Sequence, residues 1–260
     1  MNYGFIGCGN MGGALASAAS QAVGGEKILL ADADLQKAQA LAARIGAKVS
    51  DLETIAKECD YIILGVKPQG MAALLADLPI EGNPTMVSMA AGLSTETLGR
   101  MAGRELSWIR IMPNTPVALG EGRILYTLKN ADAKAEEGFL TLFSKAGALY
   151  KLEEHLIDAG TALSGCGPAF VYLFIEALAE GAARCGVPQE MVVELAAGTV
   201  LGAAKMVLQG EKEPAELREN VCSPGGSTIE GIKSLEADDF RKIIYQAVEK
   251  SYIRTKELGQ

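Results

Sequence analysis

Along the first 150 residues, short apolar runs alternate with longer stretches of helical spacing. Tyr3–Ile6 opens the series, followed by Ile28–Ala31, Ala47–Val49, Tyr61–Val66, Thr85–Met89 and Trp108–Met112. Between them, segments such as Leu35–Ile45 and Ser94–Met101 place apolar residues on one helical face. Strands alternating with helices in this way predict an α/β fold, a doubly wound, mostly parallel sheet of the Rossmann type. Its ligand crevice should lie outside the carboxyl ends of the strands. From His155 onward the strand-like runs stop and long helical patterns take over, broken at Gly186-Val187-Pro188, at Gly210 to Pro214 and at Ser223 to Gly226. The expected organisation is therefore an α/β domain over residues 1–154 and an all-helical domain over residues 155–260.

The helical part is poor in charge: between Thr161 and Ala204 only five residues are charged. Helices apolar on most faces must be covered, and a tail of about a hundred residues cannot build a large core alone. A homodimer, at least, is the expected assembly. The net charge of −8, with no run of Lys or Arg, argues against nucleic acid or an anionic membrane as the main partner. The uncharged run Ala159–Ile175 is interrupted by glycines and Pro168 and is too short and broken to span a bilayer. Five scattered cysteines without a CxxC pair suit reduced thiols better than a disulfide framework or a zinc site, so no metal centre is expected. The first strand starts at the N-terminus with no signal peptide before it, and the expected location is cytoplasmic.

Tyr3–Ile6 leads directly into Gly7-Cys8-Gly9-Asn10-Met11-Gly12, after which Ala14, Leu15, Ala18 and Ala19 recur at helical spacing. Strand, glycine turn and helix in that order form the context of a dinucleotide fingerprint: one glycine turns the chain, one admits the pyrophosphate, one lets helix pack on strand. The second run ends in Asp32, twenty residues beyond Gly12, where an acid that binds ribose is expected. A nicotinamide or flavin dinucleotide follows from this arrangement. Three further strand ends carry loops: Val66-Lys67-Pro68, Met89-Ala90-Ala91-Gly92, and Met112-Pro113-Asn114-Thr115-Pro116. Each alone is ordinary turn chemistry; together they become candidates for the same site.

A second anion site is written near the other end. In Cys222-Ser223-Pro224-Gly225-Gly226-Ser227-Thr228-Ile229-Glu230-Gly231 a proline, two glycines and two hydroxyls precede Ile229, Ile232 and Leu235 at helical spacing. The backbone N–H groups of Gly225 to Thr228 would then sit at a helix N-terminus, a ready site for carboxylate or phosphate. The alternative is an ordinary helix start with a Ser or Thr cap.

A dehydrogenase of alcohols needs a general base, and the 3-hydroxyacid dehydrogenases, which share a GxGxMG start, use a lysine of the helical domain. Here no lysine or histidine lies between Ser164 and Lys205, and the single histidine, His155, stands where the helical part begins. Reduction of a cyclic imine demands less: geometry, a carboxylate anchor and a hydrogen bond at nitrogen. A non-enzymatic nucleotide sensor is the other alternative, but it would have no use for a second Gly-Gly anion site. The chain resembles the pyrroline-5-carboxylate reductases in Phe5–Gly12, Val66-Lys67-Pro68, Met112–Pro116, Leu163-Ser164-Gly165-Cys166-Gly167-Pro168-Ala169 and Cys222–Ile229. The resemblance implies reduction of 1-pyrroline-5-carboxylate to L-proline by NAD(P)H, the last step of proline biosynthesis. It implies that Gly225, Gly226, Ser227 and Thr228 hold the substrate carboxylate, with the Thr228 hydroxyl facing the ring nitrogen as the catalytic group. Ser164 and Gly165, within the 163–169 segment, would line the substrate cavity. Gly7, Gly9, Asn10, Met11, Gly12, Asp32, Val66, Lys67 and Pro68 would bind the cofactor, and Ala90, Asn114 and Pro116 would flank the nicotinamide. The family forms interlocked dimers, often gathered into decamers. Its usual cofactor is NADPH; Ala31-Asp32-Ala33-Asp34 departs from the serine, threonine or basic residue common at this strand end, so NADH stays open.

Overall fold

The computed structural model describes residues 1–258. Its elements in chain order are β1 (Tyr3–Ile6), α1 (Asn10–Val23), β2 (Ile28–Ala31), α2 (Leu35–Ile45), β3 (Lys48–Val49), α3 (Leu52–Glu58), β4 (Tyr61–Leu64), α4 (Pro68–Asp77), β5 (Thr85–Ser88), α5 (Thr95–Ala102), β6 (Ser107–Met112), β7 (Gly122–Lys129), α6 (Ala133–Leu142) and β8 (Gly147–Lys151). Only helices follow among the described residues: α7 (Glu154–Ser164), α8 (Gly167–Arg184), α9 (Gln189–Leu208), α10 (Pro214–Asn220), α11 (Ser227–Ala237) and α12 (Phe240–Glu257).

The chain separates into two compact units, Met1–Cys166 with the segment from Lys250 onward, and Gly167–Glu249. In the first, the strands form one sheet in the order β3-β2-β1-β4-β5-β6-β7-β8. All neighbours are parallel except β6 and β7. One face packs Phe5, Ile63 and Ile109 with Leu15, Leu41 and Phe139 from α1, α2 and α6; the other packs Ile62 and Trp108 with Ile55, Leu75 and Leu98 from α3, α4 and α5. Helices on both faces make the sheet doubly wound, as the alternating pattern predicts. The last two strands, β7 and β8, lie outside the runs read from the sequence. Only nine residues join β6 to β7, too few for a parallel crossover, so the chain turns back antiparallel.

Register sets up the site. Ile6 lies opposite both Ala31 and Leu64, Leu64 opposite Ser88, and Ser88 opposite Arg110. The loops after β2, β1, β4 and β5 therefore leave the sheet at one level, with Asp32, Gly7, Gly65 and Met89 following one another in sheet order.

Helix α7 belongs to the first unit, so the compact boundary falls at 166/167 and not where the strands stop. Ile157 packs with Met112 and Leu125, and a side chain at Gly160 would come within 2.4 Å of Leu125 Cδ1, so the helix lies close on β7. In the second unit the buried cluster is only Ala179, Val192 and Ala196, with Ile175, Ala182, Ala183 and Val187 partly covered. Each such side chain contributes at most about 1–3 kcal/mol, whereas ordering this segment costs about 1–2 kcal/mol per residue in backbone entropy. The second unit cannot be stable by its own internal packing.

Candidate active site

Glycine makes the first loop possible. Gly7 has φ +103°, and a Cβ there would lie 2.7 Å from the Gly65 carbonyl; a Cβ on Gly12 would lie 2.1 Å from the Gly7 oxygen. The two residues let α1 approach β1, with Gly65 closing the other side. Around Gly9 the case is opposite: a Cβ would meet nothing within 4 Å. Gly9 caps α1 without any side-chain hydrogen bond, so the first amides of the helix are left for an anion. Open space beside an uncapped helix start fits the diphosphate of a dinucleotide. By contrast α2, α3, α5 and α6 are capped by their own Asp34, Asp51, Ser94 and Asp132. Helix α4, which begins at Pro68 after the exposed Lys67, is uncapped like α1. The starts of α7, α9 and α10 are uncapped too, so it is the union with glycine and a strand end that marks α1.

Asp32 braces the loop. Its carboxylate accepts the Cys8 N–H at 2.6 Å and the Asp34 N–H at 2.8 Å. Beside it, Lys37 pairs with Asp34 at 3.5 Å. Both Lys37 and Arg44 line a cleft of about 870 Å³ that runs from Cys8, Gly9 and Asn10 along α1 and α2. Burial, with Asp32 adding to it, pushes the Cys8 thiol up to about 11, so at neutral pH it is uncharged and packs as a small apolar group. Met11 is half-buried against the core.

At the next strand ends, Val66 is half-buried, Ala90 is buried in the core and Pro116 is half-buried. Asn114 is also buried, and its side chain is engaged twice: Nδ2 donates to the Ser164 carbonyl at 2.9 Å and Oδ1 accepts the Arg123 N–H at 2.8 Å. The structure thus joins two segments that the sequence offered separately, 112–116 and 163–165. Ser164 Oγ donates to the Gly160 carbonyl, and Gly165 N–H closes α7 on Thr161. His155 is exposed in the first turn of α7 beside Glu153.

In the second unit, α11 starts at Ser227 with Gly226 as its cap and no side-chain hydrogen bond. Gly225 has φ +74°, a conformation glycine alone adopts cheaply. The Gly226 N–H is spent on the Ser223 carbonyl at 3.0 Å. Ser227 and Thr228, both exposed, and Ile229 form the first turn, where amides lack intrahelical partners.

Known proteins decide the family. A relative from Aquifex aeolicus named pyrroline-5-carboxylate reductase is 37% identical over 99% of this chain and 97% of its own length. The chain belongs to the pyrroline-5-carboxylate reductase family. Residues 154–258 match the family model described as pyrroline-5-carboxylate reductase dimerisation, and residues 2–92 match that of NADP oxidoreductase, coenzyme F420-dependent. Solved reductase structures from Plasmodium falciparum, with NADP bound, and Coxiella burnetii superpose with TM-scores of 0.89 and 0.90 at 31% and 30% identity, each over 100% of this chain and 98% of the other. Membership in a reductase family makes this chain an NAD(P)-dependent oxidoreductase.

Residues 154–184 and 189–208 each hold a stretch long and apolar enough, by length and composition, to cross a membrane. The first is two helices parted at Gly165 and Cys166, and both fall within the reductase dimerisation region. Sequence reading missed Gly65, whose backbone meets that of Gly7; a glycine directly after the run Tyr61–Leu64 was its signal. It also missed Arg110, 2% exposed on β6, which pairs with Glu154 at 3.5 Å and with Asp158. A lone arginine in a core strand carries no local sign of partners more than forty residues away.

Proposed function

We infer that this protein reduces 1-pyrroline-5-carboxylate to L-proline, the last step of proline biosynthesis, using NADPH, with NADH as a compatible donor. The observation that carries the reading is similarity over essentially the whole chain to proteins named for that reaction. The cofactor belongs to residues 1–154, where Gly7, Gly9, Asn10, Met11, Gly12, Asp32 and the loops at Val66-Lys67-Pro68, Ala90 and Pro116 hold it, with Asn114 turned to Ser164 and Arg123. When bound, the reduced nicotinamide supplies the hydride. Residues 155–260 carry dimerisation and substrate binding. The amides of Gly225, Ser227 and Thr228 and the two hydroxyls bind the carboxylate, with Gly226 shaping the turn through its bond to Ser223, and Ser164 and Gly165 line the cavity. The Thr228 hydroxyl holds the ring nitrogen through a hydrogen bond. A substrate protonated at nitrogen already carries the proton that the amine product keeps, so the protein needs no general base for the hydride to add at the C=N carbon. That accounts for a helical half without the lysine of the hydroxyacid enzymes.

The assembly unit in this reading is a homodimer, with a decamer as a multiple of it. The five cysteines are free, which agrees with a reducing cytoplasm. Purified protein should oxidise NADPH only when pyrroline-5-carboxylate is added, and proline should accumulate in step. If no proline forms at saturating cofactor, the assignment is wrong.

A further inference from the structure

Helix α7 is fastened to the sheet at both of its ends. At its start the buried Arg110 pairs with Glu154 and Asp158, and Glu154 also accepts the Thr95 N–H at 2.7 Å and the Thr95 hydroxyl. At its last residue the Ser164 carbonyl is held by Asn114 Nδ2, while Asn114 itself is pinned through Oδ1 to the Arg123 N–H at the start of β7. Asn114 is 6% exposed. One N–H of its amide and one lone pair of Oδ1 are engaged within the protein, and this with its burial orients the side chain toward α7 and β7.

We propose that Asn114 is a positioning residue that fixes the Ser164–Gly165 end of α7 in register with the end of β6. The inference rests on the reading of 163–169 as part of the substrate cavity. Hydride transfer requires reacting atoms within about 3–3.5 Å, and a 1 Å displacement can cost roughly a hundredfold in rate. A single side-chain clamp is sufficient to matter on that scale. It is not essential to the fold: the start of α7 keeps its ion pairs, and Ile157 stays packed on Leu125 and Met112.

The test compares wild type with Asn114→Ala. In the variant, amide hydrogen exchange across residues 161–167 should quicken severalfold, while the dissociation constant for NADPH changes less than about twofold. The kcat should fall roughly ten- to a hundredfold at saturating substrate and cofactor, with a larger isotope effect from deuterated NADPH, as expected when geometry at the reacting atoms is lost. Should the alanine variant fail to fold, Asn114→Asp keeps the acceptor for Arg123 and sets an oxygen against the Ser164 carbonyl, removing that one bond, and the same measurements apply. Weakened cofactor binding with kcat restored at saturation would mean that Asn114 contacts the cofactor, and would overturn the proposal. So would unchanged exchange and kcat. If wild type itself makes no proline, the reductase reading fails instead; the exchange measurement still judges the clamp without any turnover.

Discussion

Thr228 lies in the first turn of α11, exposed and with no side-chain capping bond of its own. A hydroxyl kept free at an uncapped helix start is available to a ligand, and Thr228→Val removes it while preserving shape. Loss of one hydrogen bond to a charged group raises a barrier by about 1.5–3 kcal/mol, or roughly ten- to a hundredfold in kcat/KM for the imine. An unchanged value in a folded variant would reduce Thr228 to a helix-start residue. Asp32 calls for a subtler measurement, because its carboxylate also braces the Cys8 and Asp34 amides. Asp32→Ser should lower efficiency with both cofactors by loosening that brace, yet relieve repulsion only for the 2′-phosphate of NADPH. The ratio of kcat/KM values isolates the second effect. It should move toward NADPH by about tenfold, equivalent to about 1.4 kcal/mol, since Lys37 is engaged by Asp34 and offsets little of the Asp32 charge. An unmoved ratio would mean that Asp32 is a brace alone.

The glycines of the β1–α1 unit separate fold from function within one element. At Gly12 a methyl group would lie 2.1 Å from the Gly7 carbonyl, backbone against backbone; at Gly9 it would meet open space. Gly12→Ala should therefore cost about 1–3 kcal/mol of stability through overpacking, visible as a lowered Tm. Gly9→Ala should leave Tm unchanged and weaken NADPH binding, because the added methyl occupies the room the diphosphate needs. Equal losses of stability in both would contradict this division. The unit was legible in the sequence because apolar run, glycine spacing and helical period all act within thirty residues. The break at Gly225 and the start of α11 were legible for the same reason. Strand β8 was not: it is a sheet edge whose Tyr150 and Lys151 face solvent, so it lacks the apolar alternation of a covered strand. Strand β7 did carry a signal, Ile124-Leu125-Tyr126 after Gly122. The joining of Asn114 to Ser164 left no mark, since the partner is a backbone carbonyl fifty residues away and any residue there would supply one.

For the whole molecule, the decisive imbalance is between the two units. The first buries Trp108, Phe5, Phe139 and Phe143 almost completely, while the second leaves Tyr172, Leu173, Val193, Leu195 and Leu201 at least half exposed. Apolar surface of this extent marks an interface, and a reductase dimerisation region covers these residues. Leu178, on the same helix as Tyr172 and Leu173 and 38% exposed in the single chain, tests where that surface goes. If a second copy covers it, Leu178→Asp places a carboxylate in an apolar contact, where an unpaired charge costs several kcal/mol. A unit with so small a core of its own cannot absorb that loss, so the variant should aggregate or unfold. Wild type in detergent-free buffer should sediment at micromolar concentration as a dimer or a multiple of one. A bilayer as the true cover would instead leave the wild type insoluble without detergent. A soluble, active monomer of Leu178→Asp would show that the unit holds its fold and activity with these side chains left exposed, and the dimer would no longer be needed to explain them.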